Sequence, residues 1–429
     1  MLERDLLPNG VRIVTERIDS VQSASIGLWV GVGARDETTE IRGISHVIEH
    51  MLFKGTQRRS AQQIADDMDR IGGYLNAFTD KEYTSYYAKV LCEYIPECLD
   101  ILADMFLESV IDDGELAREK NVIIEEIKRH EDQPDDLVHE LFYEALWPGH
   151  DLGQPVIGTR ETVSALTRDD ILSYIRRRYT PDTIVVAAAG NLDHRQIVDF
   201  VAERFGGLTG SQTEWRDAPT PPVPVVAEKQ VSKPVEQIQI VLGVPAYSVF
   251  DERKYPLSLL DIILGGGMSS RLFQEIREKR GLAYSVGSYA ASYKEGGLFA
   301  LYAGTSPKTA EQVVDISRTE CVRIIEEAPS EDELLRAKNQ VRAGLLMGQE
   351  SMSNRMSRLG KDEILFDRII PLEEIMDKIL AASTTDVQAI AADILHLENF
   401  TMAQVGPFDE ADRLAAEVGD EEEEADEPE

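Results

Sequence analysis

The chain has 429 residues, which is too long for one ordinary hydrophobic core and predicts at least two domains. Its net charge of −34 should repel nucleic acid and anionic membranes, so neither is an expected partner. No stretch is long and apolar enough to span a membrane, and the N-terminus lacks the layout of a signal or transit peptide. Three cysteines are too few for a disulfide framework, so we expect a reducing compartment and a cytoplasmic protein.

The first part of the chain predicts two strands and then a helix. Residues 11–16 and 23–34 are apolar runs typical of strands, and the first of them follows a Pro-Asn-Gly turn. Residues 42–55 read RGISHVIEHMLFKG and end at a glycine, which is a common helix stop. Their apolar side chains recur at helical spacing: Ile44, Val47, Ile48, Met51 and Leu52. We therefore predict a helix with one apolar face over this segment.

That helix carries the pattern His-x-x-Glu-His at His46, Glu49 and His50. The two histidines lie one turn apart on one face, so their imidazoles can hold one zinc ion. Glu49 lies beside them, where its carboxylate can take a proton from the attacking water. This order is the inverzincin pattern of zinc peptidases. The alternative is a pair of histidines that merely faces solvent or the core.

Further helices and strands follow this segment. The sequence predicts strands at 74–79, 83–90 and 183–189, and helices at 61–71, 101–110, 115–130, 137–146 and 168–177. In the helix at 115–130, Glu119 and Glu126 are seven residues apart and share one face, two turns from each other. A metal site on the first helix needs a third protein ligand, and this acidic face can supply one.

At these residues the chain resembles the pitrilysin and mitochondrial processing peptidase family of zinc peptidases. The resemblance extends from about residue 6 to about residue 406, and it rests on HVIEHMLFKGT, YLNAFTDKEYTSYY, the Glu119/Glu126 helix and SSRLFQEIREKRGLAYSV. In that family a glutamate about 76 residues past the second histidine completes the zinc site, which implies Glu126 here. Adjacent Glu125 is the alternative, but helical phase favours Glu126. The resemblance also implies a catalytic supporting role for Glu119, which would orient a ligand histidine or the water.

The resemblance implies two sets of substrate-binding residues. Residues 73–78 resemble an edge strand that pairs with an extended peptide, and Asn76, Ala77 and Phe78 are the candidates there. Asn76 could instead be an ordinary turn residue, and Phe78 could belong to the core. Arg277 and Tyr284 match a pair that, in longer relatives, comes from the opposite half of the molecule and holds the substrate and its developing oxyanion. The alternative is a surface arginine and a core tyrosine.

The sequence also contains an internal repeat. ELAREKNVIIEE at 115–126 and ELLRAKNQVRAG at 333–344 share five residues in register, at a period of 218 residues. After the linker, the sequence predicts a strand at 237–245, a helix at 258–264 and a long helix that begins after Ser330. We predict a zinc-bearing domain at 1–208, a Pro-rich linker at 209–228, a homologous second domain at 229–417 and an acidic disordered tail at 418–429.

The second copy lacks the metal-binding residues. Ala337 and Gly344 stand where the first copy has Glu119 and Glu126, and Leu257, Leu260 and Asp261 stand where it has His46, Glu49 and His50. The second domain therefore cannot hold zinc in this way, and we expect one Zn²⁺ per chain.

The resemblance implies an α+β fold of two homologous domains, each an antiparallel-rich sheet backed by helices, which together form a half-shell. It further implies a homodimer that encloses a chamber and hydrolyses extended, unfolded peptides or precursor leader segments. Two alternatives remain: a non-catalytic subunit of a processing or respiratory-type complex, and a peptide-binding chamber without catalysis. Non-catalytic relatives lose metal ligands, whereas this chain keeps them, and a peptide-binding chamber would not need Glu49.

Overall fold

The computed structural model describes residues 1–211 and 220–409. The predicted acidic tail lies outside the described residues, as does the part of the predicted linker at 212–219. The fold is α+β, as predicted, with two mixed sheets and helices packed on them. Among the described residues, no helix is long and apolar enough to cross a membrane.

The strands and helices are numbered in chain order. The strands are β1 Leu2–Leu6, β2 Arg12–Arg17, β3 Ser23–Val30, β4 Tyr74–Thr79, β5 Thr84–Leu91, β6 Ile184–Gly190, β7 Glu228–Ser232, β8 Ile238–Ala246, β9 Ala283–Ser292, β10 Gly297–Thr305 and β11 Thr401–Gly406. The helices are α1 Ile44–Leu52, α2 Ala61–Arg70, α3 Ile95–Glu108, α4 Asp113–Glu131, α5 Pro134–Leu146, α6 Arg160–Ala165, α7 Arg168–Arg178, α8 His194–Phe205, α9 Lys254–Leu264, α10 Ala310–Glu326, α11 Glu331–Gly348, α12 Met352–Phe366, α13 Leu372–Ala381 and α14 Thr384–Ile394.

Contacts divide the chain into two compact units. The first comprises the described parts of Met1–Lys128, Gln154–Pro219 and Leu345–Ile370, and the second comprises the described remainder. The sequence predicts two continuous domains, whereas each unit of the structure includes a segment from the other predicted domain. Helix α5 precedes the predicted linker but packs in the second unit, and α12 follows the linker but packs in the first.

The first unit is built on a six-stranded sheet in the order β1-β2-β6-β3-β5-β4. Strands β2 and β6 run parallel, and the other neighbours are antiparallel. All seven residues of β6 are buried, and only the first residue of β3 is not. Such continuous apolar strands are typical of a sheet that is covered on both faces.

Helices cover both faces of this sheet. One face packs against the large core that includes α1, α3 and α8. The other face is covered by α12, whose Met356 and Leu359 pack with Trp29 of β3. The Trp29 indole N–H donates to Met356 Sδ at 3.2 Å. Burying this donor against a sulfur acceptor fixes α12 over the middle of the sheet.

The second unit has a five-stranded sheet in the order β7-β11-β8-β10-β9, in which β7 and β11 are parallel. One face carries α9, α10 and α14, and the other face carries α5 through Val138, Leu141 and Phe142. Pro134 lies in the first turn of α5, where its missing N–H removes no intrahelical bond. The proline therefore separates α4 from α5, and the two helices lie close to those predicted at 115–130 and 137–146.

Candidate metal centre

The buried carboxyl group of Glu37 accepts hydrogen bonds from backbone N–H groups at the start of helix α1. Glu37 accepts from the backbone N–H of Gly43 at 2.6 Å and of Ser45 at 2.8 Å. Burial raises the pKa of Glu37 to about 8, although the two N–H groups act in the opposite direction. An acceptor at this end satisfies orphan donors and complements the helix dipole. Sequence reasoning missed Glu37, because it lies before the helix and outside the motif.

Gly43 is required at the start of the helix. Its φ of +88° lies in the left-handed region, and a Cβ there would come within 2.7 Å of the Ile157 carbonyl oxygen. The apolar face of α1 is then buried as predicted, while His46, Glu49 and His50 stay partly exposed on its other face. The local sequence thus fixes both the start of the helix and the face that carries the polar residues.

The structure brings His46, His50 and Glu126 together. One ligand atom from each of the three lies within 4.8 Å of the other two. Glu126 Oε2 of α4 is 3.9 Å from His46 Nε2 and 3.7 Å from His50 Nε2. Among residues 1–211 and 220–409, no other group of histidine, cysteine, aspartate or glutamate ligands converges in this way. Glu125 points elsewhere: its side chain is 70% exposed and pairs with Lys128 at 2.6 Å.

Glu119 supports His50 from behind. Its Oε2 lies 3.0 Å from His50 Nδ1, and its Oε1 lies 2.7 Å from the Lys54 ammonium. Because the Glu119 carboxylate also contacts the Lys54 ammonium, which can only donate, we assign Glu119 as the acceptor and His50 Nδ1 as the donor. His50 Nε2 is then the nitrogen with a free lone pair, and it faces Glu126. Lys54 is a further residue that sequence reasoning missed.

This donor set fits zinc. Two imidazole nitrogens and one carboxylate oxygen form the three-ligand set of catalytic zinc sites, which leaves one position for water or substrate. A ligand histidine whose second nitrogen donates to a carboxylate is the usual supporting arrangement. The three side chains are also partly open to solvent, with 13% of His46, 23% of His50 and 29% of Glu126 exposed.

Glu49 lies on the same helix as the two histidines and is hydrogen-bonded from β4. Thr79 Oγ1 donates to Glu49 Oε2 at 2.5 Å. Burial raises the pKa of Glu49, and the hydrogen bond from Thr79 opposes that rise. The motif alone did not identify Thr79. Strand alternation could have, because Thr79 shares its face of β4 with Leu75 and Ala77, which pack toward the core that contains α1.

The three candidates on β4 lie in different surroundings. Ala77 faces the core that contains α1, and Phe78 packs edge-on against Trp29 and Tyr87 on the opposite face of the sheet. Asn76 is exposed, and its amide donates to the Tyr74 hydroxyl at 2.8 Å. Within the described chain, β4 ends the sheet and pairs only with β5, so its outer edge can accept another strand.

Arg277 and Tyr284 lie in the second unit and contact each other. The Arg277 guanidinium is 4.3 Å from the Tyr284 ring centre and donates to the Tyr284 carbonyl oxygen at 2.7 Å. The Tyr284 side chain is not in the core, since 77% of the residue is exposed. The Arg277 side chain also lies 4.9 Å from the Phe273 ring centre, in a short π-helical turn.

The second unit has core residues where the first has its polar triad. Leu257 and Leu260 of α9 are 1% and 0% exposed, and Asp261 accepts from Ser288 Oγ at 2.5 Å. Ala337 of α11 is buried as well, and Gly344 has no side chain to offer. None of these residues forms a metal-ligand cluster within the described part of the chain.

Two family models match the sequence. One, described as Insulinase (Peptidase family M16), matches residues 12–160, which contain the whole candidate metal centre. The other, described as Peptidase M16 inactive domain, matches residues 165–341. The boundary between the two matches falls after the candidate metal centre and before the first strand of the second sheet.

Bacterial relatives match over nearly the full length of the chain. A Bacillus subtilis protein named uncharacterized zinc protease YmxG is 42% identical over 408 residues, which cover 95% of this chain and 98% of that protein. A Streptomyces coelicolor protein named uncharacterized zinc protease SCO5738 is 40% identical over 432 residues, which cover 98% of this chain and 92% of that protein.

Two solved structures share the fold. A peptidase M16 inactive domain from Pseudomonas fluorescens has a TM-score of 0.88 at 19% identity and covers 95% of this chain. A protease from Helicobacter pylori has a TM-score of 0.88 at 21% identity and also covers 95% of this chain. The matched regions make up 98% of the Pseudomonas fluorescens chain and 99% of the Helicobacter pylori chain, so the two-sheet architecture is common to all three proteins.

Proposed function

The chain belongs to peptidase family M16, the insulinase family, and we propose that it is a zinc-dependent endopeptidase that hydrolyses unfolded peptides or precursor leader segments. The observation that carries this proposal is the convergence of His46, His50 and Glu126 beside the carboxylate of Glu49. The bacterial relatives carry the name uncharacterized zinc protease, which supports it.

In this proposal His46, His50 and Glu126 hold the zinc ion, one per chain. When bound, zinc polarises the scissile carbonyl and makes water a stronger acid. Glu49 accepts the proton of the attacking water and returns it to the leaving nitrogen. Thr79 holds the Glu49 carboxylate in place by its hydrogen bond, and Glu119 orients His50.

The substrate would bind as an extended strand along the outer edge of β4. Backbone pairing with that edge gives affinity with little dependence on sequence. Asn76 and Ala77 would contact the added strand, whereas Phe78 acts through its packing on Trp29. A peptide that pairs in this way must be unfolded, because a folded chain already uses its backbone groups.

We further propose that the active form is a homodimer enclosing a chamber, with Arg277 and Tyr284 of one chain serving the metal centre of its partner. The exposed Tyr284 ring, which stacks on the half-buried Arg277 guanidinium, supports a role in binding rather than in the core. Free cysteines at Cys92, Cys98 and Cys321 fit a cytoplasmic location, which we also propose.

The test combines metal analysis with peptide cleavage. Purified protein should contain about one zinc per chain and cleave a mixed library of unfolded peptides, with product ends read by mass spectrometry. Glu49→Gln should keep the zinc and lose turnover by several orders of magnitude. Glu126→Gln should lose most of the zinc, whereas Glu125→Gln, the matched control on the same helix, should keep it.

A Glu49→Gln variant as active as wild type would refute the assigned base. A protein that binds zinc and peptide but cleaves nothing would instead be a non-catalytic subunit. Dimer exchange tests the trans pair: Glu49→Gln chains mixed with Tyr284→Phe chains should regain activity, and no recovery after confirmed exchange would exclude it.

A further inference from the structure

Residues 33–37, part of the segment that links β3 to α1, contact the candidate site at two places. They touch the start of α1 at one end and the turn after β4 at the other. Helix α1 carries Glu49, and β4 ends with Thr79, so the two ends reach the two partners of one hydrogen bond. We call residues 33–37 the brace.

The first contact of the brace is with the turn at 80–82. The backbone N–H of Ala34 donates to the Asp80 carbonyl at 3.1 Å, and that of Arg35 donates to the Lys81 carbonyl at 2.9 Å. At Gly33 a Cβ would come within 2.3 Å of the Asp80 carbonyl oxygen. The two backbones therefore approach as closely as glycine allows, directly after Thr79.

The second contact is with α1 through Glu37. Its carboxylate accepts from the N–H groups of Gly43 and Ser45, as described above. Because α1 is a single rigid helix of nine residues, fixing its first turn also fixes the position of Glu49 in its second turn. One short segment thus fixes the position of α1, which carries Glu49, and of the end of β4, which carries Thr79.

A buried ion pair closes the brace onto the turn. Arg35 Nη1 lies 2.6 Å from Glu82 Oε1, and the two side chains are only 6% and 4% exposed. Replacing such a pair by apolar side chains is often neutral for stability, so stability alone is a weak reason for its presence. The geometry offers another reason, because Glu82 lies three residues beyond Thr79, on the turn whose backbone also accepts hydrogen bonds from Ala34 and Arg35.

We propose that Arg35 and Glu82 are positioning residues that hold Thr79 in hydrogen-bond contact with Glu49. Neither residue touches the substrate or the metal; both act through the turn at 80–82. The effect on catalysis rests on the proposed peptidase function, whereas the effect on the Thr79–Glu49 distance does not.

The experiment uses two variants of the full-length protein. Arg35→Met leaves the Glu82 carboxylate buried without this partner and should lower both Tm and kcat. Arg35→Met with Glu82→Leu removes both charges and should regain the wild-type Tm. If the pair positions Thr79, the double variant should still have a kcat about tenfold to a hundredfold below wild type, with zinc content unchanged.

Two controls separate positioning from general damage. Arg4→Met with Glu363→Leu removes another ion pair of the same unit, whose carboxylate is fully buried, and should leave kcat unchanged. Thr79→Val removes the hydrogen bond itself, so adding the Arg35/Glu82 changes to it should lower kcat little further.

A crystal structure of the double variant gives the readout that does not depend on activity. Thr79 Oγ1 should move out of hydrogen-bond distance of Glu49, from 2.5 Å in the intact protein. An unchanged distance would overturn the proposal whether or not the protein is a peptidase. Recovery of kcat together with Tm would also overturn it. If Glu49→Gln is as active as wild type, the proposed function fails instead, and the distance alone decides.

Discussion

Glu119 gives a sharp test of the proposed metal centre, because its carboxylate contacts His50 on one side and Lys54 on the other. Glu119→Ala removes both the acceptor for His50 Nδ1 and the counter-charge of Lys54. Glu119→Gln keeps an oxygen that can accept from His50 but loses the charge. The two variants therefore separate hydrogen bonding from charge at one position.

The expected magnitude follows from the geometry. The 3.0 Å contact fixes the ring of His50 and the tautomer that presents Nε2 to the metal. Loss of such a supporting group costs about 10- to 100-fold in metal affinity. We expect a loss of zinc affinity of about 100-fold for Glu119→Ala, which is about 2.8 kcal/mol of binding free energy. For Glu119→Gln we expect a loss of about 10-fold, or about 1.4 kcal/mol.

Zinc affinity is measured at pH 7 by competition with a fluorescent zinc chelator. Glu125→Ala is the matched control, because Glu125 lies on the same helix but pairs with Lys128 at the surface. Lys54→Met should give a smaller loss than Glu119→Gln, since His50 keeps its acceptor. A Glu119→Ala protein with wild-type zinc affinity and an intact Tm would refute the supporting role of Glu119.

Three further predictions concern the helix start, the second unit and the substrate. Gly43→Ala should lower the free energy of unfolding by roughly 2–5 kcal/mol in urea titrations, because of its φ of +88° and the nearby Ile157 carbonyl. Burial lowers the pKa of His139 in the folded protein, so on acidification the unfolded chain binds that proton before the folded chain does. The free energy of unfolding should therefore fall as the pH drops below about 6.5. Thermal unfolding of His139→Gln between pH 5 and 8 should show a weaker fall in Tm. A peptide cleaved when unfolded should be spared inside a stable fold, which parallel digests of both forms would check; equal cleavage would count against a closed chamber.

The elements that dominate the first unit could be predicted because their signals are local. The apolar run at β3, the helical stripe of α1 and the strand of β4 each depend on residues close in sequence. Helix α3 begins at Ile95, six residues before the predicted start, with Pro96 in its first turn. Proline is tolerated there, and the apolar pattern alone does not show it.

The exchange of α5 and α12 between the two units could not be predicted in this way. Each helix is amphipathic or apolar enough to cover a sheet, but the sequence does not say which sheet. Trp29 and Met356, which join α12 to β3, are separated by 327 positions along the chain. Only the folded structure brings such residues together, and no local periodicity encodes the choice.

In the candidate site, too, the residues with a local signal could be predicted, whereas those that act through contacts between distant segments could not. Spacing on one helix indicated His46, Glu49 and His50, and the family resemblance indicated Glu126. The residues that support them come from elsewhere: Glu37 precedes the helix, and Thr79 lies on β4. Their roles depend on hydrogen bonds between segments that are distant in sequence, so a motif search does not find them.

A comparison with the second unit shows why the polar side chains of α1 need hydrogen-bond partners. In the alignment of the internal repeat, Leu257 and Leu260 of α9 stand opposite His46 and Glu49 of α1, and both leucines are buried in the core. In α1 the same positions hold polar side chains that stay half-buried, which costs stability unless each is hydrogen-bonded or paired. Glu119 contacts His50, and Thr79 donates to Glu49, so these partners offset that cost. The first unit therefore keeps a polar, partly open helix face at positions where the second unit has an ordinary core.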